Sequence, residues 1–443
     1  MRAIDRRILT LAVPALGALV AEPLFLVTDT ALVGHLGIEP LAALGIASTV
    51  LQTAIGLLVF LAYATTPAVA RLVGAGDRAG AVRAGIDGIW LALALGVVLA
   101  VAGPFLAHPL AAGFGADPAV TELAGVYLAI SSAGIPAMLA VIAATGLFRG
   151  LQDTRTPLVI AVVGFAANAA LNAILIYGAG WGIAGSAVGT VAAQWGMALA
   201  CIAIAIRHAR RAGARLGLRL PGVASAARAG FWMLLRTLTL RVALIATVVV
   251  ATELGTTVLA STQVLFQVTF LLALALDAFA IAAQAMIGFD LGAGSPSEVR
   301  ATVRRLLLWG IGSGCALGAA LAAAAPCVGT VFSSDAAVIA AVPPGAWVLA
   351  ATMPLGALVF VLDGVLIGAN DGRYLALAGV VNLAVYLPLL WWAAQTPASA
   401  GAPAAVLGIQ LAYGVGFYGI RALTLVPRAA GSRWMAPRRR ASA

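Results

Sequence analysis

Most of the 16 acidic residues of this chain lie in loops or at helix ends, but four interrupt apolar stretches: Glu22, Asp29, Asp277 and Asp363. A lone charge in hydrocarbon costs at least about 2.5–3.5 kcal/mol, so each is expected to be protonated, paired or turned towards water. Asp29 has the most specific surroundings. It lies five residues before Gly34, in the outer half of the first apolar stretch. A later stretch supplies Asn168 and Asn172, an i,i+4 pair on one helix face, with Asn172 six residues before Gly178 and so at the depth of Asp29. The next stretch returns with Thr190 and Gln194. One carboxylate beside amide and hydroxyl oxygens can take up a proton, or bind a hard cation such as Na+ through several oxygens. Asp29, Asn168, Asn172 and Thr190 are therefore expected to form a proton- or Na+-coupling site, with Gln194 a further candidate. The competing reading is a hydrogen-bonded joint that only fixes helix packing.

Asp277 and Asp363 fall in the second half of the chain, where Arg236 and Arg241 are within-span arginines able to neutralise one of them. A structural ion pair and a functional polar site are both consistent with that arrangement. Glu22, next to Pro23, is a candidate that could instead snorkel or bond to its neighbours. Pro14 and Pro23 interrupt the first stretch, and proline removes a helical hydrogen bond. A hinge at Pro14 would link protonation of Asp29 to helix shape; a static kink is the alternative. Enzyme signals are absent. The chain has no Lys and so no P-loop lysine, and it has neither His-Glu-x-x-His nor Gly-x-Ser-x-Gly. Pattern alone leaves aspartate-based proteolysis open. Cys201, Cys315 and Cys327 are odd in number, lack metal-ligand spacing, and are expected to be small core residues. No cofactor is called for.

The elements that carry these residues follow from composition. Charged residues make up 9% and hydrophobic ones 63% of 443 residues, against about 25% charged in soluble domains. Apolar stretches near the ~20 residues needed to cross hydrocarbon recur throughout, at 8–33, 41–70, 83–107, 120–148, 157–178, 182–206, 226–254, 258–288, 302–325, 337–368, 374–394 and 401–426. The fold class is thus all-α and polytopic, with twelve spans. Arginines occupy alternate connections. Arg71, Arg78 and Arg83 fill the second, Arg149 and Arg155 the fourth, and Arg207, Arg210, Arg211, Arg215, Arg219 and Arg228 the sixth, while the intervening turns have none. The pattern continues through Arg300, Arg304 and Arg305, then Arg373, to a tail with Arg438, Arg439 and Arg440. By the positive-inside rule the arginine side, with both termini, is cytoplasmic. The net charge of +10 is spread in this way rather than pooled, so nucleic acid is not an expected partner. Arg2, Arg6 and Arg7 ahead of an apolar run resemble a signal peptide, but without a convincing cleavage site the run is expected to be a retained first helix. The Ala- and Arg-rich, lysine-free composition suggests a high-GC bacterial gene, hence a cytoplasmic (inner) membrane.

A duplication is visible at one fixed spacing, the distance along the chain from Gly74 to Gly292. Gly74-Ala75-Gly76 recurs as Gly292-Ala293-Gly294, Phe114 and Asp117 as Phe332 and Asp335, and Pro136 as Pro354. Gly146, Gly150, Asp153 and Arg155 recur as Gly364, Gly368, Asp371 and Arg373. The spacing covers six helices, an even number, so the halves are parallel repeats related by an axis along the membrane normal. Transporters built this way place substrate at the repeat interface, here a central cleft. The expected divisions are an N-lobe at 1–206, an Arg-rich cytoplasmic linker at 207–228, a C-lobe at 229–426 and a basic cytoplasmic tail at 427–443. Gly-x-x-x-Gly pairs such as Gly146/Gly150 and Gly364/Gly368 suit close helix packing.

Taken together, Val27-Thr-Asp-Thr-Ala-Leu-Val-Gly-His-Leu-Gly37, Arg149-Gly-Leu-Gln-Asp-Thr-Arg155, Asn168-Ala-Ala-Leu-Asn172, Ala275-Leu-Asp-Ala-Phe-Ala280 and Leu362-Asp-Gly-Val-Leu-Ile-Gly-Ala369 resemble the multidrug and toxic compound extrusion (MATE) family, in its DinF-like branch. The resemblance covers essentially the whole chain. It implies secondary antiport, with amphipathic or cationic small molecules exported in exchange for H+ or Na+ by a monomer in the bilayer. It places the coupling site on Asp29, Asn168, Asn172 and Thr190, the bending proline on Pro14, and C-lobe aspartates on Asp277 and Asp363. Many relatives have Asp where this chain has Asn172, and a single carboxylate suffices for one proton, which favours H+. A lipid-linked precursor flippase of similar two-lobe architecture is the alternative; its diphosphate would call for a more basic cavity than Arg236 and Arg241 alone provide.

Overall fold

A computed structural model describes residues 3–435 of the chain. Arg2, Arg438, Arg439 and Arg440 lie outside the described residues. The described chain is helical: α1 (Ala3–Gly34), α2 (Ile38–Leu58), α3 (Phe60–Gly74), α4 (Arg78–Ala112), α5 (Pro118–Ser132), α6 (Ile135–Gly150), α7 (Arg155–Ala173), α8 (Gly182–Ala212), α9 (Leu220–Glu253), α10 (Thr256–Ala293), α11 (Pro296–Phe332), α12 (Ala336–Gly368), α13 (Gly372–Ala394), α14 (Gly401–Leu411) and α15 (Tyr418–Ala430). A π-helical stretch, Ile174–Gly178, extends α7, and another, Ala412–Phe417, joins α14 to α15.

Eleven helices or helix runs are long and apolar enough to cross a membrane, and the bent pair α5–α6 supplies a twelfth span. The pair was expected as one stretch over 120–148. It bends by 52° at Ala133–Gly134, just before Pro136, whose ring and missing N–H disfavour a continuous helix there. Its duplicate, Pro354, lies inside α12, which runs unbroken from Ala336 to Gly368. Likewise α1 stays helical through Pro14 and Pro23.

The chain forms two compact units, Val13–Phe231 and Met1–Ala12 with Trp232–Ala443. The first twelve residues, which sequence assigns to the N-lobe, thus group with the second half, and the start of α9 groups with the first. In the N-terminal unit, Asp87 on α4 is buried and pairs with Arg83 at 3.2 Å and with Arg219 at 2.7 Å. Gly222, at the start of α9, lies so close that any Cβ would strike the Asp87 carboxylate. Arg83 also donates to the carbonyls of Arg215 and Gly217, and Trp90 to that of Leu216, so the linker lies along α4. In the C-terminal unit, Asp5 is buried and accepts from Arg305 and from the Trp309 indole at 3.0 Å. Arg7 pairs with Asp290 at 2.9 Å.

The duplication is written in the backbone. Gln152 and Asn370, equivalent positions of the two repeats, are the non-glycine residues with positive φ among the described residues, at 66° and 59°. Gly76 and Gly294 match at 80° and 78°. Asp117 and Asp335 each cap a helix, accepting from Ala119 N at 2.9 Å and Ala337 N at 2.7 Å. The two Gly-x-x-x-Gly pairs meet duplicated partners as well. A Cβ on Gly146 would stand 3.1 Å from the Ala62 Cα, and one on Gly364 would stand 2.7 Å from the Ala280 Cα. Only hydrogen lets these backbones come so close.

Candidate coupling site

Asp29 is buried on α1 in the N-terminal unit. Its Oδ1 accepts from Asn172 Nδ2 on α7 at 2.7 Å and from Ser186 Oγ on α8 at 2.9 Å. Asn172 Nδ2 also reaches Asn168 Oδ1 at 3.0 Å, and Asn168 Nδ2 donates to Thr190 Oγ1 at 3.0 Å. The four residues picked from sequence therefore form one continuous network, all of it buried. Two local features hold it together. The i,i+4 spacing stacks Asn168 over Asn172, and Gly189 on α8 leaves room for the Asn172 amide, since a Cβ there would collide with Asn172 Oδ1. That oxygen has no hydrogen-bond partner among the described residues. The amide is oriented with its hydrogens on the carboxylate.

Three contributors went unnoticed in the sequence. Ser186 donates directly to Asp29. It precedes Thr190 by four residues and Gln194 by eight, a polar stripe down one face of α8 that period-four inspection would have exposed. Tyr127 on α5 is buried, and its hydroxyl faces Asp29, Ser186, Thr190 and Ser131. Tyr127 and Ser131 are again an i,i+4 pair. Gln194 is half-buried and lies 3.5 Å from Met138 Sδ. With Thr190, Ser131, Leu51, Ile55, Ile135 and Met138 it lines a cavity of about 30 Å³, room for about two waters. Thr190 thus belongs to both the network and the cavity.

The remaining candidates are dispersed. Glu22 is exposed on α1, Asp277 is half-buried on α10, and Arg241 is exposed on α9. Asp363 on α12 is buried and is held by Arg236 Nη2 at 2.5 Å and by Arg421 Nη2 at 2.6 Å to both carboxylate oxygens. The counter-charges are thus Arg236 and Arg421, not Arg241. Arg421 is buried on α15, in the last span, and sequence did not single it out. Among the thiols, Cys201 is buried, but Cys315 and Cys327 are exposed on α11 rather than core. Among the described residues, no three His, Cys, Asp or Glu side chains gather to hold a metal ion.

At the duplicated positions of Asp29 and Asn168 stand Thr247 and Tyr386. Their hydroxyls lie 2.7 Å apart in the C-terminal unit. First and fifth spans are thus joined by polar side chains in both halves, a carboxylate with Asn172 in one and a pair of hydroxyls in the other.

A family model, MatE, matches residues 14–174 and again residues 233–392. The chain belongs to the MatE family. The two matched stretches end at Ile174 and Trp392, the same spacing at which sequence and backbone repeat. Protein DETOXIFICATION 44, chloroplastic, of Arabidopsis thaliana is 29% identical over 85% of this chain and 74% of its own length. A probable multidrug resistance protein NorM of Bradyrhizobium diazoefficiens is 29% identical over 86% and 85%. The crystal structure of a mutant of the Vibrio cholerae MATE transporter VcmN superposes with a TM-score of 0.87 over 98% of both chains, at 20% identity. This MatE protein is accordingly a multi-pass membrane protein of a transporter family, not an enzyme, with the two-lobed all-helical fold of those structures.

Proposed function

We propose that this MatE protein is a secondary antiporter that exports amphipathic or cationic small molecules in exchange for an inward-moving H+, taken up at Asp29. The observation that carries the reading is a buried carboxylate in a membrane span, bonded by donors from two other helices. A buried membrane carboxylate is costly unless it is used or paired, and no basic side chain pairs with Asp29 among the described residues. The orientation of the Asn172 amide favours H+ over Na+. It turns hydrogens towards Asp29, whereas a hard cation would want oxygens there. Thr190, shared with the small cavity, gives a proton a polar way in. Pro14 would let α1 bend when the charge at Asp29 changes. The names that relatives carry, a multidrug resistance protein among them, support a drug-like cargo. The setting fits a bacterial inner membrane, with a monomer whose termini are cytoplasmic.

Purified protein in vesicles, given a pH or Na+ gradient, should expel rhodamine 6G in the wild type. Asp29→Asn at equal incorporation should abolish gradient-driven export while leaving the protein folded. Full export by Asp29→Asn would refute the role.

The flippase alternative draws on one observation, the second buried arginine, Arg421, beside Arg236. Translocation of a fluorescent diphosphate lipid by the same vesicles, without dye export, would decide for it.

A further inference from the structure

The first helix is gripped firmly at both ends and loosely between. At its start, Asp5 is 2% exposed and accepts from Arg305, through Nε and Nη2, and from the Trp309 indole at 3.0 Å, both on α11. Arg7 donates to Asp290 at 2.9 Å and lies over the Phe289 ring, both on α10. Asp290 is 4% exposed and accepts in turn from Thr302 of α11 at 2.7 Å. Ile8, Leu11, Ala12 and Ala15 are buried, and their spacing puts them on one face of the helix. At the far end Asn172 and Ser186 hold Asp29. Over residues 16–28, more than three turns, no residue of α1 is buried; the contacts there are partial, the Phe25–Phe165 stack among them. Pro14 stands just before this stretch and Pro23 inside it. The two grips also belong to different units, since α1 passes from one to the other between Ala12 and Val13.

The duplicated helix is built otherwise. α9 also changes unit, between Phe231 and Trp232, at the duplicated place to within one residue. Trp232 stands where α1 has Pro14, and the one proline of α9 is Pro221, in its first turn. From Gly230 onward α9 has a buried residue on every turn as far as Ala251. Crossing between units therefore requires neither a proline at the crossing nor an ungripped middle. Those two features are particular to the helix that carries Asp29.

We infer that the Asp5–Arg305 and Arg7–Asp290 pairs are the anchor against which α1 works, and that these four residues are positioning residues for coupling. The inference rests on the exporter reading. A proton on Asp29 removes the charge that strengthens the hydrogen bonds from Asn172 and Ser186, and the far grip loosens. A helix loosened at one end moves about the end that stays fixed. With the first turns tied to α10 and α11, bending falls in the ungripped stretch beside its prolines, and the force passes through Asp5 and Arg7 into those two helices. Without the anchor the same change at Asp29 turns the start of α1 instead and is lost.

The test uses purified full-length protein in vesicles under a pH gradient, with rhodamine 6G export and proton uptake followed together. Asp5→Asn combined with Arg7→Gln, which keeps the shape and removes the charges, should raise the number of protons taken up per dye molecule severalfold, because Asp29 still exchanges protons. A merely structural anchor would lower both fluxes together, and an unchanged ratio overturns the inference. The exchanged pair, Asp5→Arg with Arg305→Asp, should bring the ratio back towards that of the wild type. If the exchanged pair does not accumulate, Arg305→Lys replaces it and should keep a near-wild-type ratio. Hydrogen exchange gives a readout that needs no transport. Asp29→Asn should change amide protection over residues 290–302 when the anchor is intact, and should not when Asp5→Asn and Arg7→Gln are added. Unchanged protection in Asp29→Asn with the anchor intact also overturns the inference. A wild type that exports no dye sinks the exporter reading and leaves hydrogen exchange to decide on the anchor.

Discussion

Asp87 and Arg305 stand at the same place in the two repeats and carry opposite charge. Each meets the start of a leading helix. Asp87 takes Arg219, just before α9, and Arg305 takes Asp5, in the first turns of α1. The duplicated joint has survived an inversion of sign.

The two joints are expected to fail unequally. Arg219→Ala leaves Asp87 with Arg83 at 3.2 Å, and Arg219 is itself more than half exposed, so its loss should lower the thermal midpoint in detergent only slightly. Arg305→Ala leaves the buried Asp5 without its bidentate partner and should lower the midpoint by several degrees. Midpoints followed by tryptophan fluorescence would check the order, and equal losses would contradict it.

Gly189→Ala should disable the proposed coupling site without altering any of its polar groups. The new methyl would strike Asn172 Oδ1 and push the amide off Asp29, giving up hydrogen bonds to a charged group worth about 1.5–3 kcal/mol each. Gradient-driven dye export should fall at least tenfold. Wild-type export by Gly189→Ala would show that the Asn172–Asp29 bond is dispensable.

Gly364→Ala and Gly312→Ala offer a matched pair. The first drives a methyl into the Ala280 backbone and should cost about 1–3 kcal/mol by overpacking. At Gly312 a Cβ meets nothing within 4 Å, and the change should gain up to about 1 kcal/mol from helix propensity. Opposite shifts in thermal midpoint are expected.

Thr247→Val removes the partner of the buried Tyr386 hydroxyl and should destabilise the protein by about 1–3 kcal/mol. Because the joint is neutral, the number of protons moved per dye molecule should not change. An altered ratio, from paired pH-dye and rhodamine traces, would place the joint in the coupling path.

The helices were legible because each stretch is long, apolar and bounded by arginines or glycines, and the repeat was legible because turn residues such as Gly76 and Gly294 need positive φ. The Asp29 network was legible through depth. Asp29 lies five residues before Gly34 and Asn172 six before Gly178, and equal distances from such turns on two spans that run the same way give equal depth. Tyr127 escaped because a tyrosine inside an apolar stretch passes for a packing residue. Asp87 escaped because it sits near a helix end, where a charge passes for solvated. Arg421 escaped because it lies near the end of the last apolar stretch, where arginines are common. Arg241 shares its span with Arg236, but residues five apart on a helix point in different directions.

The hydroxyl pair Thr247–Tyr386 has a consequence for energetics in a living membrane. It carries no net charge, so the transmembrane voltage does no work on it. If a proton reaches Asp29 through the field, that voltage contributes at most about 2.3 kcal/mol per 100 mV for the one elementary charge moved, and of these two matching joints it can act on the first alone.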